Sequence, residues 1–236
     1  MVFVPFYSHG ECDLVVVHSE SFHNKGLDLH VRTTSKDWYS YIEVAAVRIG
    51  DDVVEVANGE VVINGLSHMD GDLPTLFGSD NQYSISLKIE NNKKHYTVTL
   101  GDNSNMVFRF WKHYMTFKIN AHTHDFDDAN GILGAHPSGA MIGRAGELFA
   151  EFADFAFEWQ VNQDDPQLFG TVRDPQLPYE KCRMPTEARP SRRHLRSNRK
   201  LLAEAEQACD AQNGRDFELC VEDVVTTGEV ELAHIW

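Results

Sequence analysis

The chain has 236 residues, of which 42% are hydrophobic, and a formal net charge of −15. That length allows one large domain, or a domain plus an appendage, and the apolar content is enough for a core, which excludes general disorder. The acidic balance argues against nucleic acid as the main partner, and no run approaches the roughly 18 apolar residues of a membrane span.

In chain order, the N-terminal stretch "MVFVPFYSHGECDLVVV" does not read as a signal peptide. It lacks a basic start, and Ser8, His9, Glu11 and Asp13 interrupt its apolar part. Residues 12 to 120 read as strands. "CDLVVVHS", "LDLHVRT", "YIEVAAVRIG" and "DDVVEVA" are β-branched runs bounded by turn residues. "YSISLKIE" alternates, with Tyr83, Ile85, Leu87 and Ile89 on one side and Ser84, Ser86 and Lys88 on the other, the pattern of a strand with one wet face. "ENNKK" turns the chain into "HYTVTL", "GDNSN" turns it into "MVFRFW", and "YMTFKIN" closes the series. Short strands at this spacing predict an antiparallel β-sandwich, so the expected fold is mainly β.

A small-residue loop, "GILGAHPSGAMIGRAG", runs from Gly131 to Gly146. Beyond it the period changes, and Phe149, Phe152, Phe155, Ala156 and Trp159 recur as on a short core-packing helix. A proline-containing passage follows, and residues 163 to 196 read as a linker. The basic stretch from Arg183 to Lys200 holds seven basic residues and one acidic one; it reads as exposed chain, with a polyanion patch or processing site as the secondary reading. Residues 197 to 236 read as a small helical hairpin. Ser197 is placed to cap a helix carrying Leu201, Leu202, Ala205, Ala208 and Cys209 on one side. Asp216 is placed to cap a second, with Phe217, Cys220, Val221, Val224 and Val225 on one face and Gly228 as its stop.

The four cysteines, Cys12, Cys182, Cys209 and Cys220, lack C-x-x-C spacing, which weakens zinc and thioredoxin-like readings. Four cysteines allow three pairings, and four free thiols are the alternative. Cys209 and Cys220 both fall on apolar faces, eleven residues apart, so a bond stapling the helical hairpin is the economical pairing, leaving Cys12 to Cys182. Such bonds imply an oxidising compartment.

The richest polar segment is "HTHDFDD", His122 to Asp128. Two histidines near acids suit zinc, but Phe126 and Asp127 replace the last two positions of an H-x-H-x-D-H site, so a solvated loop is the expected reading. Asp125, Asp127 and Asp128 remain the weak metal candidates. The glycine loop is not a phosphate loop: it has no G-K-[ST] and no G-x-G-x-x-G after a strand. "HSESF" lacks the glycines of a nucleophile elbow, and no N-x-[ST] sequon is present. His9, His18, His23 and His30 are each expected to be satisfied or exposed.

Taken together, "GECDLVVVHS", "GLDLHVRT", "YIEVAAVRIGDDVVEV", "GILGAHPSG" and "FADFAFEWQV" resemble, in order and spacing, a von Willebrand factor type D domain over about residues 8 to 162. The tail "ACDAQNGRDFELCVEDVVTTGEVELA" resembles the cysteine-bearing segment that often follows such domains, and the cysteine-poor versions of diatom-like algae are the nearest variant. The resemblance implies a non-catalytic extracellular or cell-surface module for adhesion or matrix assembly, with other extracellular proteins or matrix polymers as partners. The alternative is a metal-binding protein or metal-dependent hydrolase using His122, His124 and Asp125. Where the family's loop has its cysteine this chain has Leu133, and where it has calcium-coordinating Asn and Asp this chain has Ala135 and Pro137, with no acid near Met141 to Gly143. Calcium takes six to eight oxygen ligands, so the loop is expected to hold none, and no cofactor is expected. The early strand with G-D-P-H is absent, from which the chain is expected to lack the N-terminus of a longer protein. The oligomeric state stays open.

Overall fold

In a computed structural model of the chain, the described residues are 10–36, 38–101, 104–171, 173, 182 and 198–236. The architecture is mainly β, with antiparallel strands throughout and helices at the C-terminal end. Most of the basic stretch, residues 183–197, lies outside the described residues, as does the proposed cap Ser197.

Eleven strands form one continuous sheet: β1 (Asp13–Ser19), β2 (Leu27–Lys36), β3 (Tyr39–Ile49), β4 (Asp52–Ala57), β5 (Glu60–Ile63), β6 (Leu66–Met69), β7 (Thr75–Phe77), β8 (Tyr83–Glu90), β9 (Lys93–Gly101), β10 (Ser104–Trp111) and β11 (Tyr114–Asn120). Its path is β6-β5-β4-β3-β11-β10-β9-β8-β7, with β2 also on β3 and β1 on β2. β3 joins the two layers. Along one edge it pairs with β2; along the other it meets β11 at Ile42–Met115 and then β4 from Ala45 onward. The expected two-layered β core is thus a single sheet curled over shared contents. Tyr96 on β9 shows the closure: its hydroxyl accepts from the Gly59 N–H at 3.0 Å and donates to Asp70, on the far side of the core.

Alternation explains the layer formed by β8 to β11. Tyr83 and Ile85, then Tyr96, Val98 and Leu100, then Met106, Phe108 and Phe110 are buried in one cluster with Val54, Val56, Val61 and Ile63 of the opposite layer. Asn64-Gly65 and Asn91-Asn92 adopt positive φ at both positions, as two-residue hairpin turns matching strand twist require. Both lie between paired strand ends.

β1 and β2 are different, being buried almost throughout. Leu27, Leu29 and Val31 belong to the core cluster, while Asp28, His30 and Arg32 occupy the alternate side. There the passage 129–171 wraps over them. The free edge of β1 is covered as well. Asn130 and His18 exchange backbone hydrogen bonds, Ile132 donates to Val15, and Val15 and Val161 pair with Trp159 and Asp13. An edge strand left bare would invite pairing with another chain. Within the wrap, α1 (Phe152–Glu158) buries Phe155 and Ala156, and Trp159 follows at its end. Phe149 packs from outside the helix, its N–H bonded to Met141.

The tail comprises α2 (Arg199–Ala208), α3 (Arg215–Thr227) and a 3-10 turn (Val230–Ile235). The N-cap of α2 is Asn198, whose side chain accepts from the Leu201 N–H. Asp216 is not the cap of α3; Gly214 is, and Asp216 lies in the first turn, where its charge still suits the helix dipole. Gly228 ends α3 in the left-handed conformation. The hairpin packs on the sheet: Ala205, Cys209, Cys220, Val224 and Leu232 share a second apolar cluster with Tyr39, Trp111 and Tyr114. Trp38 donates its indole N–H to the Thr226 carbonyl at 2.9 Å, and Lys36 pairs with Glu229.

Candidate functional site

The four cysteines form two disulfides, Cys12–Cys182 and Cys209–Cys220, with Cα separations of 4.9 and 5.9 Å, inside the usual range for such bonds. Cys12 is anchored by Thr33, whose hydroxyl accepts the Cys12 N–H at 2.8 Å. The first bond holds Cys182 against the sheet core, and the second follows α2 and joins it to α3. The sequence pattern alone pointed to both pairings.

The acids of the segment 122–128 are not brought together. Asp128 is consumed by the turn after β1: it accepts from the Ser19 hydroxyl at 2.6 Å and from the N–H groups of Glu20 and Ser21 at 2.9 and 2.8 Å. Its carboxyl is lowered by these bonds, against the opposing effect of burial. Asp125 accepts from Ser104 at 3.1 Å and lies 3.7 Å from the ring of His23. His122, His124 and Asp127 are exposed. Among the described residues no group of three or more His, Cys, Asp or Glu is placed to hold a metal.

The glycine loop spends its own backbone groups internally. Ala135 donates to Ala140, Gly139 to Ala135, Gly143 to Glu147 and Gly146 to Gly143. Gly131 is required by close approach: at φ +146, a Cβ there would stand 2.4 Å from the Val16 carbonyl oxygen. The loop is a seal on β1, because its first residues must lie directly against that strand.

The densest polar constellation lies instead on β2 and its neighbours, and the pattern of "LDLHVRT" carries no sign of it. Asp28, 1% exposed, receives the His18 ring at 2.6 Å on one oxygen and the Arg48 guanidinium at 2.6 Å on the other. The hydrogen bond to Asp28 raises the His18 pKa against the opposing effect of burial. Asp28 itself is lowered: its bonds to His18 and Arg48 outweigh a large desolvation effect in the other direction. Two residues on, His30 is fully buried, with neither ring nitrogen hydrogen-bonded, and burial lowers its pKa to about 4. That corrects the expectation of a satisfied or exposed histidine. Arg32 follows, holding buried Asp13 through two parallel bonds of 2.8 and 2.7 Å. Two further N–H groups donate to Thr171, and Phe169 lies against its plane at 4.3 Å.

His18 beside a buried carboxylate has the orientation of a general base. Yet its neighbour Ser19 donates to Asp128 instead, and among the described residues no hydroxyl or thiol is hydrogen-bonded to the His18 ring. The geometry therefore supports a structural network that locks the wrap to β2. No helix among the described residues is long and apolar enough to cross a membrane. Compared with known proteins, the chain matches no family model and no curated protein.

Proposed function

We propose that this chain is a non-catalytic extracellular or cell-surface module, related to von Willebrand type D domains, that binds other extracellular proteins or matrix polymers in adhesion or matrix assembly. The observation that carries the reading is the pair of disulfides, one closing a 170-residue separation and one stapling the tail. Structural disulfides persist in oxidising compartments and are rare in reducing ones. The resemblance of five ordered segments supports the same assignment. A sealed edge on β1 fits a domain that must stay soluble among other β-rich modules. Asp125 faces Ser104 and His23 instead of joining His122 and His124, so no observation favours the metal-dependent hydrolase.

The test uses native protein from its own cells, with thiols blocked before lysis. The expected result is detection on unpermeabilised cells or in the medium, no alkylatable thiol, and two cystine-linked peptide pairs. Protein confined inside the cell with four alkylatable thiols would overturn the reading.

A further inference from the structure

The outward face of β8 to β11 runs against the charge of the molecule. Core residues alternate inward along these strands, so Lys88, then Lys93 and His95, then Arg109, then Thr116 and Lys118 share the opposite face. The register places Lys88 opposite His95, His95 opposite Arg109, and Arg109 opposite Thr116. Val107 is opposite Lys118, and Thr97 is opposite Val107. Lys93, Arg109 and Lys118 therefore fall on one diagonal across β9, β10 and β11, in steps of about 7–8 Å.

Like charges set opposite each other in a sheet are destabilising. The local acids relieve this only in part: Glu90 stands opposite Lys93 at the hairpin end, and its charge acts on Lys93 and His95. Glu90 is paired with Lys88 at 2.8 Å, and Glu43, at the margin on β3, lies 3.7 Å from Arg173. Among the described residues no carboxylate comes within ion-pair distance of Lys93, Arg109 or Lys118, in a chain whose net charge is −15. The Arg109 Nε and the His95 Nε2 are both shut off from water without a hydrogen-bond partner. Burial, then Arg109 and Lys93, lower the His95 pKa. Burial and Arg109 likewise lower that of Lys93.

Around this line stand short hydrogen-bonding side chains: Ser84, Ser86, Thr97, Thr99, Asn105 and Thr116. The aromatic residues at the end of the face, Trp111 and Tyr114, are buried beneath the C-terminal helices. Nucleic acid recognition on a flat sheet relies on exposed aromatics for base stacking, which this face does not offer. The acidic remainder of the chain also repels a ligand of such high charge density. A glycan with fewer charges, and hydroxyls between them, matches both the cationic line and its polar surround.

We infer that the outer face of β8 to β11 binds an acidic polysaccharide, a linear glycan bearing carboxylate or sulfate groups, with Lys93, Arg109 and Lys118 taking the anions and the neighbouring hydroxyl and amide side chains taking the sugar hydroxyls. This inference rests on the extracellular reading above and names the class of matrix polymer.

The experiment titrates the intact, oxidised full chain with a lightly sulfated dextran, with polygalacturonate and with uncharged dextran, at low and high salt. At least one of the two acidic glycans is expected to bind, with an affinity that falls as salt rises, and uncharged dextran is expected not to. Lys93→Gln, Arg109→Gln and Lys118→Gln are each expected to weaken binding about tenfold, the loss of one charge-assisted hydrogen bond. The melting curves are expected to stay close to that of the parent, which separates lost binding from lost folding. Ligand is also expected to raise the pKa of His95, read from its ring proton shifts, because an anion above the face reverses the local repulsion. Binding that survives the triple variant, as it would if residues 183–200 carried it, overturns the inference. So does tighter binding of single-stranded DNA through the same three residues, and so does failure of both acidic glycans to bind. None of these outcomes bears on the surface localisation or the thiol count, which test the proposed function separately.

Discussion

His30 is the residue most out of keeping with its surroundings. It is neutral in the folded chain because burial lowers its pKa to about 4 from an ordinary 6.5. The unfolded chain takes up a proton at the ordinary value, so stability is full above pH 6.5 and is lost as the pH falls toward 4. The loss attributable to this group approaches about 3 kcal/mol. His18 acts in the opposite sense: its pKa is raised, so the stability it contributes is present below 6.5 and fades as the pH rises through the folded value. In urea unfolding from pH 4.5 to 8, His30→Leu is expected to flatten the acid limb. A slope unchanged from the parent would show that other groups control it. Arg32 offers a second test. Arg32→Met leaves the buried Asp13 carboxylate without its partner, and the expected cost is about 3–5 kcal/mol in the same assay.

Among the elements, the glycine loop carries the clearest prediction. Gly131→Ala sets a Cβ against the Val16 backbone at a strained φ, with no flexible side chain to give way. It is expected to destabilise by about 2 kcal/mol or more, and hydrogen exchange is expected to quicken at His18 and Ile132, whose N–H groups hold the seal. Gly146 provides the control. It also has positive φ, +87, but a Cβ there meets nothing within 4 Å. Gly146→Ala therefore carries only the left-handed penalty, about 1–2 kcal/mol, with no change of exchange along β1. Equal effects at both positions would remove the argument that contact with β1 makes the loop what it is.

At the scale of the molecule, the tail is a separate cluster bolted to the curled sheet. Two short helices alone are marginal in water. Here they gain Tyr39, Trp111 and Tyr114 as a floor, the Trp38–Thr226 bond, and the ion pairs Lys36–Glu229 and Lys112–Glu231. Within the tail, Asp223 accepts from the Trp236 indole at 3.2 Å, and burial raises its carboxyl to about 7. A raised carboxyl favours the folded tail in its protonated form, so the stability it contributes is expected to grow in urea unfolding as the pH falls from 7 toward the ordinary 3.8. Replacing Cys209 and Cys220 together by serine is expected to cost about 3 kcal/mol of tail stability, on the chain-entropy estimate for a loop of this size. The increase in hydrogen exchange should be confined to residues 198–236, with the sheet amides unmoved; exchange rising across β2 and β3 as well would mean that the tail and sheet unfold as one.

Much of the frame was legible along the chain. Alternation in 83–89, the turns at Asn91-Asn92 and the switch to helical spacing after 147 each depend on contacts within a few residues, so local pattern exposes them. The cysteine pairings were readable because two short amphipathic helices can bring only one pair together. β6 and β7 were not, since "LSHM" and "TLF" are too short, and in β6 too exposed, to show a period. The edges of the tail helices shifted by a residue or two, from Ser197 to Asn198 and from Asp216 to Gly214, because several neighbouring residues are able to end a helix. The order of residues along the chain settles which side of each strand is apolar. What lies over the polar side depends on how distant segments fold back. Asp28, His30 and Arg32 on β2 and Lys93, Arg109 and Lys118 on β9 to β11 occupy the same kind of polar position in an alternating strand. In the first set Arg32 lies beneath a segment more than 100 residues later, carrying Phe169 and Thr171, and Asp28 is closed in by His18 and Arg48. The second keeps its charges free of close ion pairs, and no such segment covers it among the described residues. A period of two residues encodes the direction of a side chain, and long-range chain closure decides whether that direction meets water, a salt bridge or a ligand.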